Sequence, residues 1–156
     1  MKNTWHQHIL RVHYQDTDQM AVAHHANYVG WLEIGRTEMM RSAGIAYSDM
    51  EKLGLLLPVV DMSIQYRRPA HYDDSLVVFT RVASFSAVRL EFEYEVRRIE
   101  EAPNPSSDIG ITPYGELLTS GTTMHMWINR EWKPTRVDKV APEAFALLNR
   151  KFSSGE

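Results

Sequence analysis

His25-Ala26-Asn27-Tyr28-Val29-Gly30-Trp31-Leu32-Glu33-Ile34-Gly35-Arg36-Thr37-Glu38-Met39-Met40-Arg41-Ser42-Ala43-Gly44 is the stretch on which the fold turns. Tyr28, Trp31, Leu32, Gly35, Met39 and Ala43 recur at three- and four-residue spacing. That spacing predicts a helix over 25–43 with one buried stripe. Glu33, Thr37, Glu38 and Arg41 fall mostly off it. Asn27 is placed to cap the first turn. Gly44 stands where a left-handed C-terminal cap belongs. Gly30 and Gly35 each cost roughly 1 kcal/mol against Ala inside a helix. Gly35 lies on the stripe, where close approach of a neighbouring strand would call for it. Gly30 has no such account from the sequence.

Around this helix the sequence reads as strands. Leu10, Val12 and Tyr14 alternate with Arg11 and His13, a half-buried strand over 10–14. Val60, Met62, Ile64 and Tyr66 alternate with Asp61, Ser63, Gln65 and Arg67, and Pro69 breaks the run. Tyr72-Asp73-Asp74-Ser75 reads as a turn. Leu76 to Val82 is rich in Val, Phe and Thr and reads as a more buried strand. Val88, Leu90, Phe92, Tyr94 and Val96 alternate with Arg89, Glu91, Glu93, Glu95 and Arg97, giving a strand with one charged face. Residues 117–129 form a long last strand, and Pro142 opens a short terminal helix over 141–150. Three prolines, two serines and a glycine within residues 102–113 mark a surface loop insertion over 101–115. The order is β-α-β-β-β-β. One helix cannot cover both faces of a parallel sheet, so an α+β fold is expected, an antiparallel sheet wrapped around one long central helix.

Composition narrows the function classes. At 156 residues the chain suits one domain, residues 1–156. It has no cysteine, which excludes a disulfide scaffold, a thiolate zinc site and a cysteine nucleophile. The net charge of -3, without a long basic run, disfavours nucleic acid as a partner. No apolar run approaches a membrane span, and no signal-peptide core follows Met1, so a cytoplasmic location without membrane attachment is expected. The seven histidines, including the pair His24-His25, lack HExxH spacing, and no metal site is expected.

Tyr14-Gln15-Asp16-Thr17-Asp18-Gln19-Met20-Ala21-Val22-Ala23-His24-His25-Ala26-Asn27-Tyr28 resembles the signature of the 4-hydroxybenzoyl-CoA thioesterase family of hotdog proteins. The likeness continues through Trp31 to Glu38. It returns in Leu57-Pro58-Val59-Val60 and in Tyr66-Arg67-Arg68-Pro69-Ala70-His71-Tyr72-Asp73-Asp74. It covers roughly residues 8–130 apart from the Pro-rich loop. The chain departs from the pattern at Ala21, where the family has glycine, and at His24, where tyrosine is common. The resemblance implies a hotdog fold, homodimers assembling to homotetramers, an active site at the dimer interface, acyl-CoA thioester substrates and no cofactor.

The resemblance implies that Asp18 is the catalytic carboxylate. It either attacks the thioester to form an acyl-enzyme anhydride or acts as general base on water. An aspartate alone would more simply cap a turn. His25 falls where the family offers a backbone N–H to the thioester oxygen, at the helix N-terminus, where free N–H groups favour negative charge. Asp16 reads as a loop-holding residue. Asn27, Tyr28 and Trp31 are candidates for the acyl-pocket border, with core packing an equal reading for the two aromatics. Arg67, Arg68 and Arg89 are candidates for the CoA phosphates; each alone also reads as ordinary surface charge. Two rivals are a non-catalytic acyl-CoA-binding module and a thioesterase acting on acyl-carrier-protein esters. A dehydratase is disfavoured, since its His followed by a Pro- and Gly-rich loop is missing.

Overall fold

The computed structural model describes residues 4–100 and 109–152. Its elements in chain order are β1 (Trp5–Arg11), α1 (Asn27–Ser42), α2 (Tyr47–Lys52), β2 (Val59–Tyr66), β3 (Ser75–Phe85), β4 (Arg89–Ile99), β5 (Ile109–Ile111), β6 (Glu116–Met126), α3 (Val137–Val140) and α4 (Pro142–Phe152). The strands form a six-stranded sheet in the order β2-β6-β4-β3-β1-β5, with antiparallel pairs throughout. The sheet wraps one face around α1, which is the hotdog arrangement.

The helix buries the expected stripe: Tyr28, Trp31, Leu32, Gly35 and Met39 are buried along it, and Ala43 just past its end. They meet Leu76, Val78 and Val82 of β3 and the inward residues of β4, namely Leu90, Phe92, Tyr94 and Val96. Each large apolar side chain buried there is worth about 2 kcal/mol. Gly35 is where the helix touches the sheet. A Cβ at Gly35 would lie 2.7 Å from Val78 Cγ1 and 2.7 Å from Thr80 Oγ1. At Gly30 a Cβ would meet nothing within 4 Å. Gly44 takes φ +87°, the left-handed conformation its position requires.

Several expectations need correction. The first strand lies earlier, over Trp5–Arg11, and a 3₁₀ turn at Tyr14–Asp16 follows. His6 and Gln7, polar yet buried, hid its alternation, and Tyr14 is exposed rather than inward. Asn27 does not cap α1: Ala26 holds that position, and Asn27 Nδ2 donates to the Asp16 carbonyl at 2.7 Å. The last strand stops at Met126. Residues 101–108 of the expected loop lie outside the described residues. Ile109–Ile111, expected to be loop, is a short strand paired with β1. From Ser75 to Thr80, β3 is buried on both faces because it is covered twice: Val77 and Phe79 pack with Trp5 and Ile99 on the outer face.

Arg36, a charged residue of α1, is buried at the head of a hydrogen-bond chain through the core. Arg36 Nη1 donates to the Tyr94 hydroxyl at 3.4 Å, and that hydroxyl lies 2.6 Å from Thr123 Oγ1. Thr123 Oγ1 is 2.8 Å from His125 Nε2, and His125 Nδ1 is 3.1 Å from the Leu57 carbonyl. A carbonyl only accepts, so Nδ1 carries a proton, and in the neutral ring Nε2 accepts from Thr123. Thr123 must then accept from Tyr94, and the direction of the whole chain is set.

That order of donors belongs to the neutral imidazole. Burial favours the same state, pulling the His125 pKa down to about 4. The unfolded chain binds this proton below its ordinary pKa of about 6.5, while the folded protein does not. Stability is therefore expected to fall from about pH 6.5 to about pH 4, by an amount on the order of 3 kcal/mol. Urea midpoints across that range would test this. His125→Gln, which takes up no proton, should decline less steeply; parallel declines would refute the assignment.

Candidate active site

The Asp18 turn is built by local hydrogen bonds. Asp18 N–H donates to the Val22 carbonyl and Ala21 N–H to the Asp18 carbonyl, both at 3.0 Å. Thr17 bridges Ala23 across the same small hairpin. Asp18 Oδ1 accepts from Met20 N–H at 2.8 Å. The carboxylate thus holds a turn with one oxygen, as an aspartate often does. No protein donor among the described residues takes Oδ2. Ala21 sits at φ +66°. A left-handed alanine costs about 1 kcal/mol or more, which a glycine would not.

The turn is docked from both sides. Ala23 N–H donates to the Ala70 carbonyl at 2.8 Å, and Ala70 N–H donates to the Tyr28 hydroxyl at 3.1 Å. Asp16 Oδ2 accepts from His13 N–H, and the Asp16 carbonyl accepts from His24 N–H and from Asn27. Asp16 therefore holds the loop, and its 3₁₀ geometry removes any strand-like pairing with Asp18. Tyr66, at the end of β2, donates its hydroxyl to the His25 carbonyl at 2.9 Å. Its ring meets Tyr28 edge-on at 5.2 Å. Burial raises the pKa of both phenols, more than offsetting the bond that Ala70 makes to Tyr28, so both stay protonated at neutral pH.

A pocket of about 270 Å³ opens here. Asp18, Met20, His25, Tyr28, Tyr66, Arg67, Arg68 and Pro69 line it. Five residues singled out from the sequence thus come together: Asp18, His25, Tyr28, Arg67 and Arg68. His25 precedes α1, and among the described residues its N–H meets no acceptor. Arg67 is exposed, with a long 3.4 Å contact to Ser120, and Arg68 Nε lies 3.4 Å from Glu116. A carboxylate beside a helix N-terminus and two guanidinium groups can attack or deprotonate while donors stabilise developing negative charge.

Three candidates are not in this pocket. Asn27 is spent on the Asp16 carbonyl. Trp31 is buried against Tyr28, ring centroids 4.6 Å apart, and serves the core. Arg89 sits at the far end of β4: it pairs with Met126, whereas Val96 pairs with Thr119, which faces Tyr66. Seven residues of strand separate the two registers, about 23 Å. Tyr66 is the lining residue that sequence reasoning missed; an aromatic ending a strand next to Arg67-Arg68-Pro69 was its signal. A larger depression of about 1030 Å³ lies elsewhere, but both of its arginines are paired, Arg98 with Asp74 and Glu116 and Arg11 with Asp73. Among the described residues no cluster of His, Asp and Glu is arranged to hold a metal. No helix among them is long and apolar enough to cross a membrane.

The thioesterase superfamily model matches residues 20–103, more than half of the chain. The chain belongs to this superfamily. The matched span begins just after Asp18 and carries α1 and strands β2 to β4. Bacillus subtilis (strain 168) YneP, provisionally named an acyl-CoA thioesterase, is 36% identical over 135 residues, covering 86% of this chain and 88% of YneP. The acyl-CoA thioester hydrolase YbgC of Escherichia coli O157:H7 is 35% identical over 95 residues, 61% of this chain and 69% of YbgC. The solved structure of DHNA-CoA thioesterase from Staphylococcus aureus superposes with a TM-score of 0.82 at 28% identity, covering 94% of this chain and 89% of that one. Superfamily membership makes the chain a thioester hydrolase, and the hotdog fold agrees with it.

Proposed function

We propose that the chain is a cytoplasmic acyl-CoA thioesterase of the 4-hydroxybenzoyl-CoA type, with Asp18 as nucleophile or general base. The observation that carries this reading is the convergence of Asp18, the His25 segment and Arg67-Arg68 on one pocket. In the nucleophilic route Asp18 Oδ2 attacks the thioester carbon and the C–S bond breaks. CoA leaves as its thiolate and is protonated, and water then cleaves the anhydride. In the general-base route Asp18 takes the proton of the attacking water, the C–S bond breaks, and the departing CoA thiolate takes up that proton. Either way the oxygen of the thioester gains charge, and the His25 N–H is the donor assigned to it. A pocket of about 270 Å³ suits the reacting end of an ester rather than a whole CoA. The phosphates are left to Arg67 and Arg68 at the exposed rim.

The working unit in this reading is a homodimer assembling to a homotetramer, with the partner completing the pocket. Support comes from the edge strand β2, with Val59, Val60 and Tyr66 exposed, and from the exposed Val29 and Ile34 of α1. The test is thiol release from a panel of aromatic and aliphatic acyl-CoA esters, with acyl-carrier-protein esters alongside. Because the chain has no cysteine, a thiol reagent reports only the liberated carrier. Hydrolysis of part of the CoA panel is expected, and Arg67→Ala should raise KM with little change in kcat. A folded protein that binds the esters but cleaves none would instead be a binding module. Preference for the carrier-protein esters would move the substrate assignment.

A further inference from the structure

A second cavity, of about 130 Å³, lies between α1, α2 and residues 55–57, which lead into β2. It shares no lining residue with the Asp18 pocket. Met50, Leu55 and Leu57 give it an apolar wall, and Arg36 and Tyr47 also line it. The Arg36 side chain is nine-tenths buried. Its guanidinium has five N–H donors. It spends one on the Tyr94 hydroxyl at 3.4 Å, and Glu33 Oε2 lies 3.9 Å away, beyond hydrogen-bond length. Burying a cation with so little compensation is costly.

Tyr47 has the complementary defect. Its hydroxyl is buried without a hydrogen-bond partner. Arg36 is near enough to act on the ionisation of Tyr47 and to lean on its oxygen, but the pair falls short of a well-formed hydrogen bond and leaves the hydroxyl proton unplaced. A guanidinium also has no acceptor for the hydroxyl proton. Burial pushes the phenol well above its usual range, so it remains a donor. Two buried donor groups therefore line one small cavity that offers them no side-chain acceptor at bonding distance. The space is about ten times what a single water needs.

We propose that this cavity binds a small monocarboxylate, its oxygens held by Arg36 and Tyr47 and its apolar part against Leu55 and Leu57. A planar carboxylate fits the guanidinium fork and accepts from the phenol as well. The exposed Glu33 and Glu51 also line the cavity, and they disfavour phosphates and dicarboxylates, leaving a single negative charge as the best match. Binding here requires no reaction at Asp18.

The experiment is calorimetric titration of the full chain with sodium acetate, propionate and benzoate, with sodium chloride at equal ionic strength as control, together with thermal melts. At least one acid is expected to bind and to raise the melting temperature where chloride does not. Tyr47→Phe should weaken that binding roughly 10-fold while leaving the unliganded melting temperature equal or higher, since it removes an unpaired buried hydroxyl. Glu33→Gln should tighten it by removing a competing carboxylate, and Asp18→Asn should leave it unchanged. The proposal fails if no acid binds with a Kd below about 10 mM. It fails equally if Tyr47→Phe binds as wild type does, or if Asp18→Asn abolishes binding, which would place the acid in the other pocket.

Discussion

Asp18→Asn is expected to lower kcat on the preferred thioester by about 10²-fold or more, while the melting temperature stays where it was. The two readouts separate the two things Asp18 does. As a turn residue it accepts the Met20 N–H through Oδ1, and the side-chain carbonyl of asparagine accepts that bond equally well. As a reacting group it needs a charged, basic oxygen, which asparagine lacks. A loss of 10² corresponds to about 2.7 kcal/mol of transition-state stabilisation. Full activity in Asp18→Asn would reduce Asp18 to its turn and require another nucleophile. Loss of both activity and stability would mean the turn is held by charge rather than by shape.

The second large effect is a change of sign within one helix. Gly35→Ala places a methyl 2.7 Å from two atoms of β3, the Val78 Cγ1 and Thr80 Oγ1. Both neighbours are β-branched and buried, so neither can swing aside freely. Overpacking of this kind costs up to about 3 kcal/mol, and the better helix propensity of alanine returns about 1. A net loss of about 2 kcal/mol is expected, a fall of roughly 4–8 °C in the melting temperature. Gly30→Ala meets no atom within 4 Å and should gain up to about 1 kcal/mol. Equal effects at the two sites would refute the close contact between α1 and β3. A destabilised Gly30→Ala would show that this outer face of α1 is covered by a second copy of the chain.

The reach of local pattern is visible in particular residues. The stripe from Tyr28 to Ala43 and the alternation of β4 follow from spacing alone, because each face is set by the period of its own element. Buried polar residues defeat the same reading. His6 and Gln7 sit inside β1, and Arg36 sits inside α1; Gln7 meets Tyr114 and Arg36 meets Tyr94, both far along the chain. Asn27 has the composition of a helix cap but is claimed by the Asp16 carbonyl eleven residues away. Arg89 and Arg67 are alike as sequence, yet only Arg67 lies at the pocket, because cross-strand register puts Arg89 about 23 Å along β4 from the level of Tyr66.

By itself the sequence determined the α+β class, the one long helix, the left-handed Gly44 and the motif around Asp18. All of these are written in neighbouring residues. The tertiary structure decided what meets Asp18. Ala70 bonds to Ala23 and to Tyr28, and Tyr66 bonds to the His25 carbonyl; together they bring residues 66–70 against a turn some fifty residues earlier in the chain. It also decided that Arg36 and Tyr47 share a cavity. Periodicity fixes which way a side chain faces, but only the pairing of distant strands fixes what it faces.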